Sequence, residues 1–190
     1  MTGTDSYLNV SLNWDHFHTA NGMILGRDEL LKLILESQPP LIEGWVDLNV
    51  QLQPAGFDLT LKEVRRFKGV GHIDFDNRGR VLPDTEPIPF EPDGRVHLSK
   101  GAYVLVFNEI VNLPLGIAAI AKPRSSLIRC GASVETAVWD PGYRGRSRAL
   151  LVVYNDSGIV LERNARVVQL MFIRVQGASV GYGGAYQGES

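Results

Sequence analysis

Cysteine is almost absent from this sequence, since Cys130 is the only one among 190 residues. A single cysteine cannot form an intrachain disulfide, so the chain does not fit the class of small secreted domains that depend on such bonds. No stretch approaches the roughly 20 apolar residues of a membrane helix, and the amino terminus lacks a basic segment followed by an apolar run. We therefore expect a cytoplasmic protein that is neither exported nor inserted in a membrane.

An excess of charge of one sign is also missing. The 19 lysines and arginines nearly balance the 21 aspartates and glutamates, which leaves a formal net charge of −2. A chain with this balance has no general attraction for polyanions, which argues against a nucleic-acid partner. The four histidines have no acidic or cysteine partner at a metal-ligand spacing, so we predict no structural zinc.

Helical patterns are scarce. The segment "GRDELLKLILESQPP" has Asp28 and Glu29 before an apolar run and two prolines after it. Negative charge near the start and proline just past the end are both typical of a short helix, which we predict over residues 28–37. Residues 1–22 before it are predicted to form an irregular extension.

The remainder of the chain has short apolar segments separated by turn residues. These segments predict strands at "FDLTL", "HIDF", "YVLVF", "GIAAIA", "ALLVVY", "IVLE" and "VVQLMFIRV". Because strands and helices do not alternate, we expect a mainly β fold, a distorted jelly-roll or β-barrel with one short N-terminal helix. One domain spans residues 1–190, with the helix and barrel over 23–176. The glycine-rich segment 177–190 is predicted to be mobile unless a ligand or a neighbouring subunit orders it.

Two segments carry side chains suited to phosphate. "KPRSSLIRCG" (122–131) combines guanidinium groups, hydroxyls and turn amides, which can converge on one anion. The start of an ordinary helix with serine as N-cap explains the same residues equally well. "NARVVQLMFIRV" (164–175) places Arg166 and Gln169 at the start of an apolar strand. Gln169 fits a ligand contact or an exposed strand edge, because a buried amide needs several hydrogen-bond partners.

Two further segments carry carboxylates. In "PAGFDLTL", Asp58 emerges on the face opposite the apolar residues, although it could equally cap a turn or face solvent. In "AVWDPGYRG", Asp140 stands at the lip of a turn, where a carboxylate can accept a proton from an attacking water. Tyr143 offers a flat face for stacking on a sugar or a base. Taken alone, this segment is more often an ordinary Asp-Pro-Gly-Tyr turn.

Taken in order, "AGFDL", "PRSS", "WDPGYRG", "RVVQL" and "GYGGAYQG" resemble the five motifs of the dUTPase and dCTP deaminase superfamily, and most of all the archaeal dUTPases. The resemblance spans roughly residues 23–188. It implies a distorted jelly-roll subunit in a homotrimer with active sites between subunits. It also implies hydrolysis of dUTP to dUMP and pyrophosphate with Mg²⁺, which limits uracil incorporation into DNA and supplies dUMP.

The resemblance also implies roles for individual residues. Asp140 would activate water, Asp58 would support the metal through bound water, and Tyr143 would pack against deoxyribose and leave no room for a 2′-hydroxyl. The triphosphate contacts are Arg124, Ser125, Ser126 and Gln169, and Arg129 and Arg166 complete that part of the site. Thr136 and Ala137 would hold the base through backbone groups. The last motif lacks its usual phenylalanine, and either Tyr182 or Tyr186 would take its place over the base. The second motif also departs from the usual pattern, with Arg-Ser-Ser in place of Arg-Ser-Gly.

Deaminases of the superfamily need a glutamate on the strand after the "DPG" turn. Here that position falls on Leu150, Leu151 or Val152, all apolar, which favours a phosphohydrolase over a dCTP deaminase or a bifunctional enzyme. Glu135 is the nearby acid that could rescue deamination, but it precedes the turn and is expected on the wrong segment. A non-catalytic protein that senses deoxynucleotides is the alternative of another class. It would not need a base such as Asp140 beside the phosphate-binding residues.

Overall fold

A computed structural model of the chain describes residues 23–189. The predicted extension over residues 1–22 lies outside the described residues. The helices are α1 (Arg27–Glu36), α2 (Leu48–Gln51) and α3 (Ser125–Arg129). The helix predicted over 28–37 is confirmed with its start and end one residue earlier. The expectation of a single helix missed two short ones, of four and five residues, which are too brief to show a helical periodicity.

The described part of the chain is mainly β. Its strands are β1 (Ile42–Glu43), β2 (Leu52–Gln53), β3 (Gly56–Lys68), β4 (Asp84–Ile88), β5 (Arg95–Leu98), β6 (Gly101–Asn112), β7 (Ile117–Pro123), β8 (Ala132–Glu135), β9 (Arg144–Val153), β10 (Ile159–Glu162) and β11 (Arg166–Arg174). Six of the seven segments predicted as strands lie in β3, β6, β7, β9, β10 and β11.

A nine-stranded sheet has the order β7-β11-β3-β6-β9-β8, with β1 beside β6 and with β2 and β4 beside β3. Strands β5 and β10 form a separate antiparallel pair. Trp139, just after β8, exchanges two backbone hydrogen bonds of 2.9 Å with Ala119 on β7. This bridge joins the two ends of the sheet, so the predicted barrel is confirmed as a nearly closed one.

The core lies inside this barrel. Phe57, Phe107 and Phe172 are fully buried there. On β9 the odd-numbered residues from Gly145 to Val153 are buried and the even-numbered ones are more exposed. This alternation follows from the period of two along a strand, and it determines which side chains of β9 face inward.

The strand predicted at "HIDF" is wrong. His72 pairs only with Val81 through an isolated bridge, and the side chains of Ile73 and Phe75 are exposed. The carboxylate of Asp74 accepts a hydrogen bond of 2.6 Å from the backbone N–H of Gly79. The segment folds back on itself through this bond and the His72–Val81 bridge, and no strand of the described sheets pairs with it.

The C-terminal segment lies against the turn that contains Asp140. The N–H of Tyr182 donates to the carbonyl of Pro141 at 2.7 Å. The side chain of Gln187 accepts from the N–H of Arg144 at 2.9 Å and donates to the carbonyl of Gly142 at 3.0 Å. These contacts give a folded arrangement for residues 181–189, while the mobility expected for 177–190 stays a prediction.

Among the described residues, no helix has both the length and the apolar character needed to cross a membrane.

Candidate active site

A cavity of about 600 Å³ opens beside the turn after β8, and we call it the Asp140 cavity. Its lining includes Ala137, Asp140, Tyr143, Tyr182 and Tyr186. Five of the residues proposed from the sequence therefore meet at one place, although they come from two separate segments, 137–143 and 182–186. Thr136, the other residue proposed for the base, does not line this cavity.

The turn that carries Asp140 is fixed by its own backbone. Gly142 has φ +80°, which a residue with a side chain rarely adopts, and the N–H of Tyr143 donates to the carbonyl of Asp140 at 3.1 Å. Leu113 anchors the turn from the end of β6: its carbonyl accepts from the N–H of Gly142 at 3.0 Å, and its N–H donates to the carbonyl of Tyr143 at 2.8 Å. The exposed carboxylate of Asp140 thus stands on a rigid support at the cavity.

The two tyrosines proposed from the last motif differ in their surroundings. The ring of Tyr182 packs edge-on against Tyr143, with 5.5 Å between ring centroids and 72° between planes. Tyr186 is 40% exposed, and the guanidinium of Arg80 lies 5.8 Å from the centre of its ring. Tyr143 itself is buried, and burial raises the pKa of its phenol above the ordinary value, so it remains neutral near pH 7.

A second group of charged residues, the Asp58 cluster, contains Asp58, Arg124 and Arg166. Oδ2 of Asp58 lies 3.3 Å from Nε of Arg124 and 3.2 Å from Nη1 of Arg166. Oδ1 is buried and has no hydrogen-bond partner among the described residues. Burial raises the pKa of Asp58, and the two guanidinium groups oppose that rise. The cluster carries one more positive than negative charge when Asp58 is ionised.

The other residues proposed for phosphate surround this cluster. Gln169 on β11 pairs in register with Asp58 on one side and with Lys122 on the other. Ser125 and Ser126 are exposed in the first turn of α3, so the helix start is confirmed, while their role as a phosphate cradle stays a prediction. Arg124 is the N-cap, and the expectation of a serine N-cap is wrong. Arg129 is exposed at the end of α3.

Within one chain the proposed site is divided. None of the residues proposed for the triphosphate lines the Asp140 cavity; they are Arg124, Ser125, Ser126, Arg129, Arg166 and Gln169, and Asp58 does not line it either. The Asp58 cluster lies where the end of β7 meets β11 and β3, whereas Asp140 follows Trp139, which pairs with Ala119 further back along β7. The motifs predicted a single site for all of these residues, but in one subunit they form two separate groups.

A buried acid that the sequence reasoning missed lies next to the Asp58 cluster. Glu109 is 1% exposed and accepts hydrogen bonds from Nε2 of Gln51 at 2.7 Å and from the N–H and hydroxyl of Thr60 at 2.9 and 2.6 Å. The same Nε2 donates to the backbone carbonyl of Asp58 at 2.9 Å. Burial raises the pKa of Glu109. The available signal was an acid within the apolar run "YVLVFNEIV", where a register shift between Val106 and Ile110 interrupts the alternation.

The three residues at the position expected for the deaminase glutamate differ in their surroundings. Leu150 lines the Asp140 cavity, Leu151 is fully buried on the other face of β9, and Val152 does not line the cavity. Glu135 on β8 pairs directly with Leu150 and lines the same cavity. Glu135 precedes the turn in sequence, as expected, but antiparallel pairing of β8 with β9 places it at the cavity, so its position does not exclude it from the site.

Among residues 23–189, no group of three or more His, Cys, Asp or Glu side chains is arranged to hold a metal ion.

Comparisons with known proteins agree with this architecture. The model of the family described as dCTP deaminase-like matches residues 24–175. A protein of Methanosarcina acetivorans named "Probable deoxyuridine 5'-triphosphate nucleotidohydrolase" is 55% identical over 168 residues, which cover 88% of this chain and 98% of that protein. A protein of the same name from Archaeoglobus fulgidus is 52% identical over 167 residues, covering 88% and 97% of the two chains.

A solved structure resembles the fold. The 2'-deoxycytidine 5'-triphosphate deaminase from Agrobacterium tumefaciens superimposes with a TM-score of 0.60 at 23% identity, over 80% of this chain and 48% of that one. An identity this low supports the shared fold alone, while the family match and the archaeal relatives extend the likeness to the sequence. The superfamily expected from the five motifs is therefore confirmed, and the chain belongs to the dCTP deaminase-like family.

Proposed function

We propose that this protein is a dUTP diphosphatase, which hydrolyses dUTP to dUMP and pyrophosphate. The observation that carries the proposal is the lining of the Asp140 cavity. It presents the carboxylate of Asp140 and the ring of Tyr143, together with the apolar Leu150, one of the three residues at which the resemblance would place a deaminase's glutamate. The archaeal relatives at more than half identity carry the name of this activity. Such an enzyme would act on the cytoplasmic nucleotide pool, limit uracil incorporation into DNA and supply dUMP.

Asp140 is the proposed general base. Its side chain is exposed at the cavity, so a water molecule can approach it, and the turn holds its backbone in place. The carboxylate would accept a proton while the water oxygen attacks the triphosphate and pyrophosphate leaves. Tyr143, three residues along, would pack its ring against the deoxyribose. Tyr182 is already packed against Tyr143, so Tyr186 is the aromatic side chain free to cover the base. Ala137, on the cavity wall, would contact the base through its backbone, whereas Thr136 lies outside the lining.

The Asp58 cluster is the proposed phosphate site. Its two arginines outweigh its one carboxylate, and the hydroxyls of Ser125 and Ser126 together with the amide of Gln169 add neutral contacts. Oδ1 of Asp58 is a buried acceptor without a partner among the described residues, and it would bind a water molecule of a hydrated Mg²⁺ ion once the surrounding side chains admit that water. The ion would neutralise part of the triphosphate charge. Mg²⁺ in nucleotide sites usually takes one or two carboxylates plus substrate phosphates, so one carboxylate fits this role.

The division of the site within one chain supports active sites shared between subunits, and the family resemblance adds the expectation of a homotrimer. The proposed base and the proposed phosphate site do not share a cavity in the monomer, so a second subunit would have to bring them together. Light scattering should give the mass of three chains. An Asp140→Asn variant and an Arg124→Ala variant, each inactive alone, should regain part of the activity after mixed refolding. Failure of two properly folded variants to complement each other would refute the shared site.

The direct test supplies purified protein and Mg²⁺ with dUTP or dCTP. We expect pyrophosphate from dUTP, no ammonia from dCTP, and loss of turnover after chelation of the metal. The Asp140→Asn variant deletes the base and keeps the shape, so its kcat should fall by about 10² to 10⁴ while dUTP binding persists. Near-normal turnover of this variant would refute the role of Asp140. Tight dUTP binding by wild-type protein without turnover would instead indicate a non-catalytic sensor.

A dCTP deaminase, alone or combined with dUTP hydrolysis, is the second candidate. The observation that favours it is the position of Glu135, which lines the cavity opposite Leu150. Ammonia release from dCTP that disappears in a Glu135→Gln variant would establish this reaction. If the wild-type protein releases no ammonia, this candidate is excluded.

A further inference from the structure

We propose that Ser147 is a positioning residue that fixes the ring of Tyr143 and thereby sets the preference for deoxyribose over ribose. The inference rests on the proposed function, because it assumes that Tyr143 packs against the sugar. Ser147 is four residues beyond Tyr143, on the inward face of β9. Nothing in the sequence pattern indicated it, since a serine on a strand is usually read as a surface or edge residue.

The hydroxyl of Ser147 joins two buried aromatic side chains. Nε1 of Trp139 donates to Oγ of Ser147 at 2.6 Å, and the hydroxyl of Tyr143 lies 3.1 Å from the same oxygen. All three side chains are less than 10% exposed. An indole N–H only donates, so Ser147 accepts from Trp139, and its own proton remains available for the bond with Tyr143. One small side chain therefore joins two buried polar groups, the Trp139 N–H and the Tyr143 hydroxyl, and all three residues line the cavity beside Asp140.

The surroundings leave the ring of Tyr143 little freedom. A β-carbon at Gly145 would stand 2.8 Å from the Tyr143 hydroxyl oxygen, so the ring lies directly over the backbone of that glycine. Tyr182 packs edge-on against the ring. Trp139, the other partner of Ser147, is fixed to β7 through its backbone bridge with Ala119. Through the hydroxyl of Ser147, the ring of Tyr143 is therefore linked to strand β9 and, through Trp139, to the bridge between Trp139 and Ala119 that closes the barrel.

Loss of this hydroxyl would remove the hydrogen bond that anchors the end of the ring, while the packing of the ring against Gly145 and Tyr182 remains. The Ser147→Ala variant leaves the Trp139 N–H and the Tyr143 hydroxyl without their shared partner, and both are buried. The Tyr143 ring can then tilt, which makes room at the sugar. Discrimination against a 2′-hydroxyl depends on that room, whereas Asp140 and its turn are held by separate backbone bonds. Sugar selectivity should therefore fall more than turnover of dUTP.

The test measures kcat/KM for dUTP and for UTP. In the Ser147→Ala variant we expect the ratio of the two values to fall about tenfold or more, with kcat for dUTP changed only a few-fold. Ser147→Thr keeps the hydroxyl and should restore most of the ratio. Tyr143→Phe removes the other partner, so the double variant should be no less selective than either single variant. Ser157→Ala, in an exposed turn away from the cavity, serves as the control.

A second measurement does not depend on activity. Aromatic NMR of a sample labelled at tyrosine should show faster flipping of the Tyr143 ring in the Ser147→Ala variant than in the wild type. If wild-type protein hydrolyses neither nucleotide, the proposed function fails, whatever the ring does. If dUTP is hydrolysed normally and Ser147→Ala keeps the wild-type ratio, or the ring flips at an unchanged rate, the role of Ser147 is refuted. If Ser147→Ala does not fold, Tyr143→Phe alone decides the matter through the same ratio.

Discussion

The buried network around Glu109 gives the sharpest prediction about stability. Glu109→Gln keeps the size of the side chain and removes its charge. The remaining oxygen can still accept from Gln51 and from the Thr60 hydroxyl. In the wild type the backbone N–H of Thr60 donates to Oε2 of Glu109 at 2.9 Å. In the variant an NH₂ group takes the place of that oxygen and faces the same N–H. A donor then faces a donor in a site that water does not reach.

The expected cost is the balance of two effects. A lost hydrogen bond to a charged group costs about 1.5–3 kcal/mol. Removal of the charge recovers part of that free energy, because a buried charge without an ion-pair partner is itself destabilising. Glu109 is buried and forms no ion pair with any described residue. We expect a net loss of about 2 kcal/mol, which for a domain of this size lowers Tm by roughly 4–8 °C.

The pH dependence has a definite sign. Burial raises the pKa of Glu109 above its ordinary value of 4.5, so the folded protein binds this proton more tightly than the unfolded chain does. Its contribution to stability is therefore fully present below the unfolded pKa and is lost as pH rises through the folded pKa. The variant lacks this titration. The difference in stability between wild type and Glu109→Gln should widen as pH falls from neutrality toward about 4.5.

Urea unfolding at several pH values and at one protomer concentration measures this difference, since the stability of an oligomer depends on concentration. Glu162→Gln is the matched control, because Glu162 is exposed and pairs only with Arg95 across the β5–β10 pair. Its effect should stay below about 1 kcal/mol. A difference between wild type and Glu109→Gln that narrows at low pH would refute the reasoning. It would mean that the three donated hydrogen bonds outweigh burial and lower the pKa.

Two further substitutions test the turn and the phosphate site. Gly142→Ala should destabilise the protein by about 1–2 kcal/mol and expose the C-terminal segment to protease, because of the positive φ and because the β-carbon would stand 2.8 Å from Cα of Gly181. Gly183→Ala, with open space around its β-carbon, should do neither, and equal proteolysis of both variants would contradict the prediction. Arg166→Gln should raise KM for dUTP by about tenfold or more with a smaller change in kcat, whereas Arg95→Gln should change neither. An unchanged KM for Arg166→Gln would remove this arginine from the phosphate site.

The barrel could be predicted from the sequence because short apolar segments are separated by turn residues along most of the chain. "ALLVVY" is apolar at every position, and in "FDLTL" the polar residues that alternate with the apolar ones are buried as well. "HIDF" has a similar composition and failed, since a segment becomes a strand only when a neighbouring edge pairs with it. Pairing partners distant in the chain are not encoded in the local pattern.

The residues of the candidate site could be named from the sequence, but their spatial grouping could not. Asp140 and Tyr143 meet the C-terminal tyrosines as the motif order suggested. The separation of Asp58 from Asp140 within one chain follows from sheet order, which no single segment reveals. Ser147 was missed for a related reason. Its role depends on hydrogen bonds with the side chains of Trp139 and Tyr143, and the sequence does not show that these two side chains meet at Ser147.

The assignment of the reaction depends finally on where two neighbouring side chains point. A shift of one residue reverses the face of a strand, so the sequence alone could not say which of three apolar residues faces the cavity. Of the three, Leu150 lines the cavity, and Glu135 lies beside it across the strands, with β-carbons about 5 Å apart in such pairs. Strand β9 therefore carries no glutamate, but the cavity still has one, because Glu135 on β8 lines it. Oε1 of Glu135, however, accepts a hydrogen bond of 2.9 Å from the hydroxyl of Ser133 on its own strand. Ser133 precedes Glu135 on β8, so this carboxylate already has a hydrogen-bond partner on its own strand while it lines the cavity.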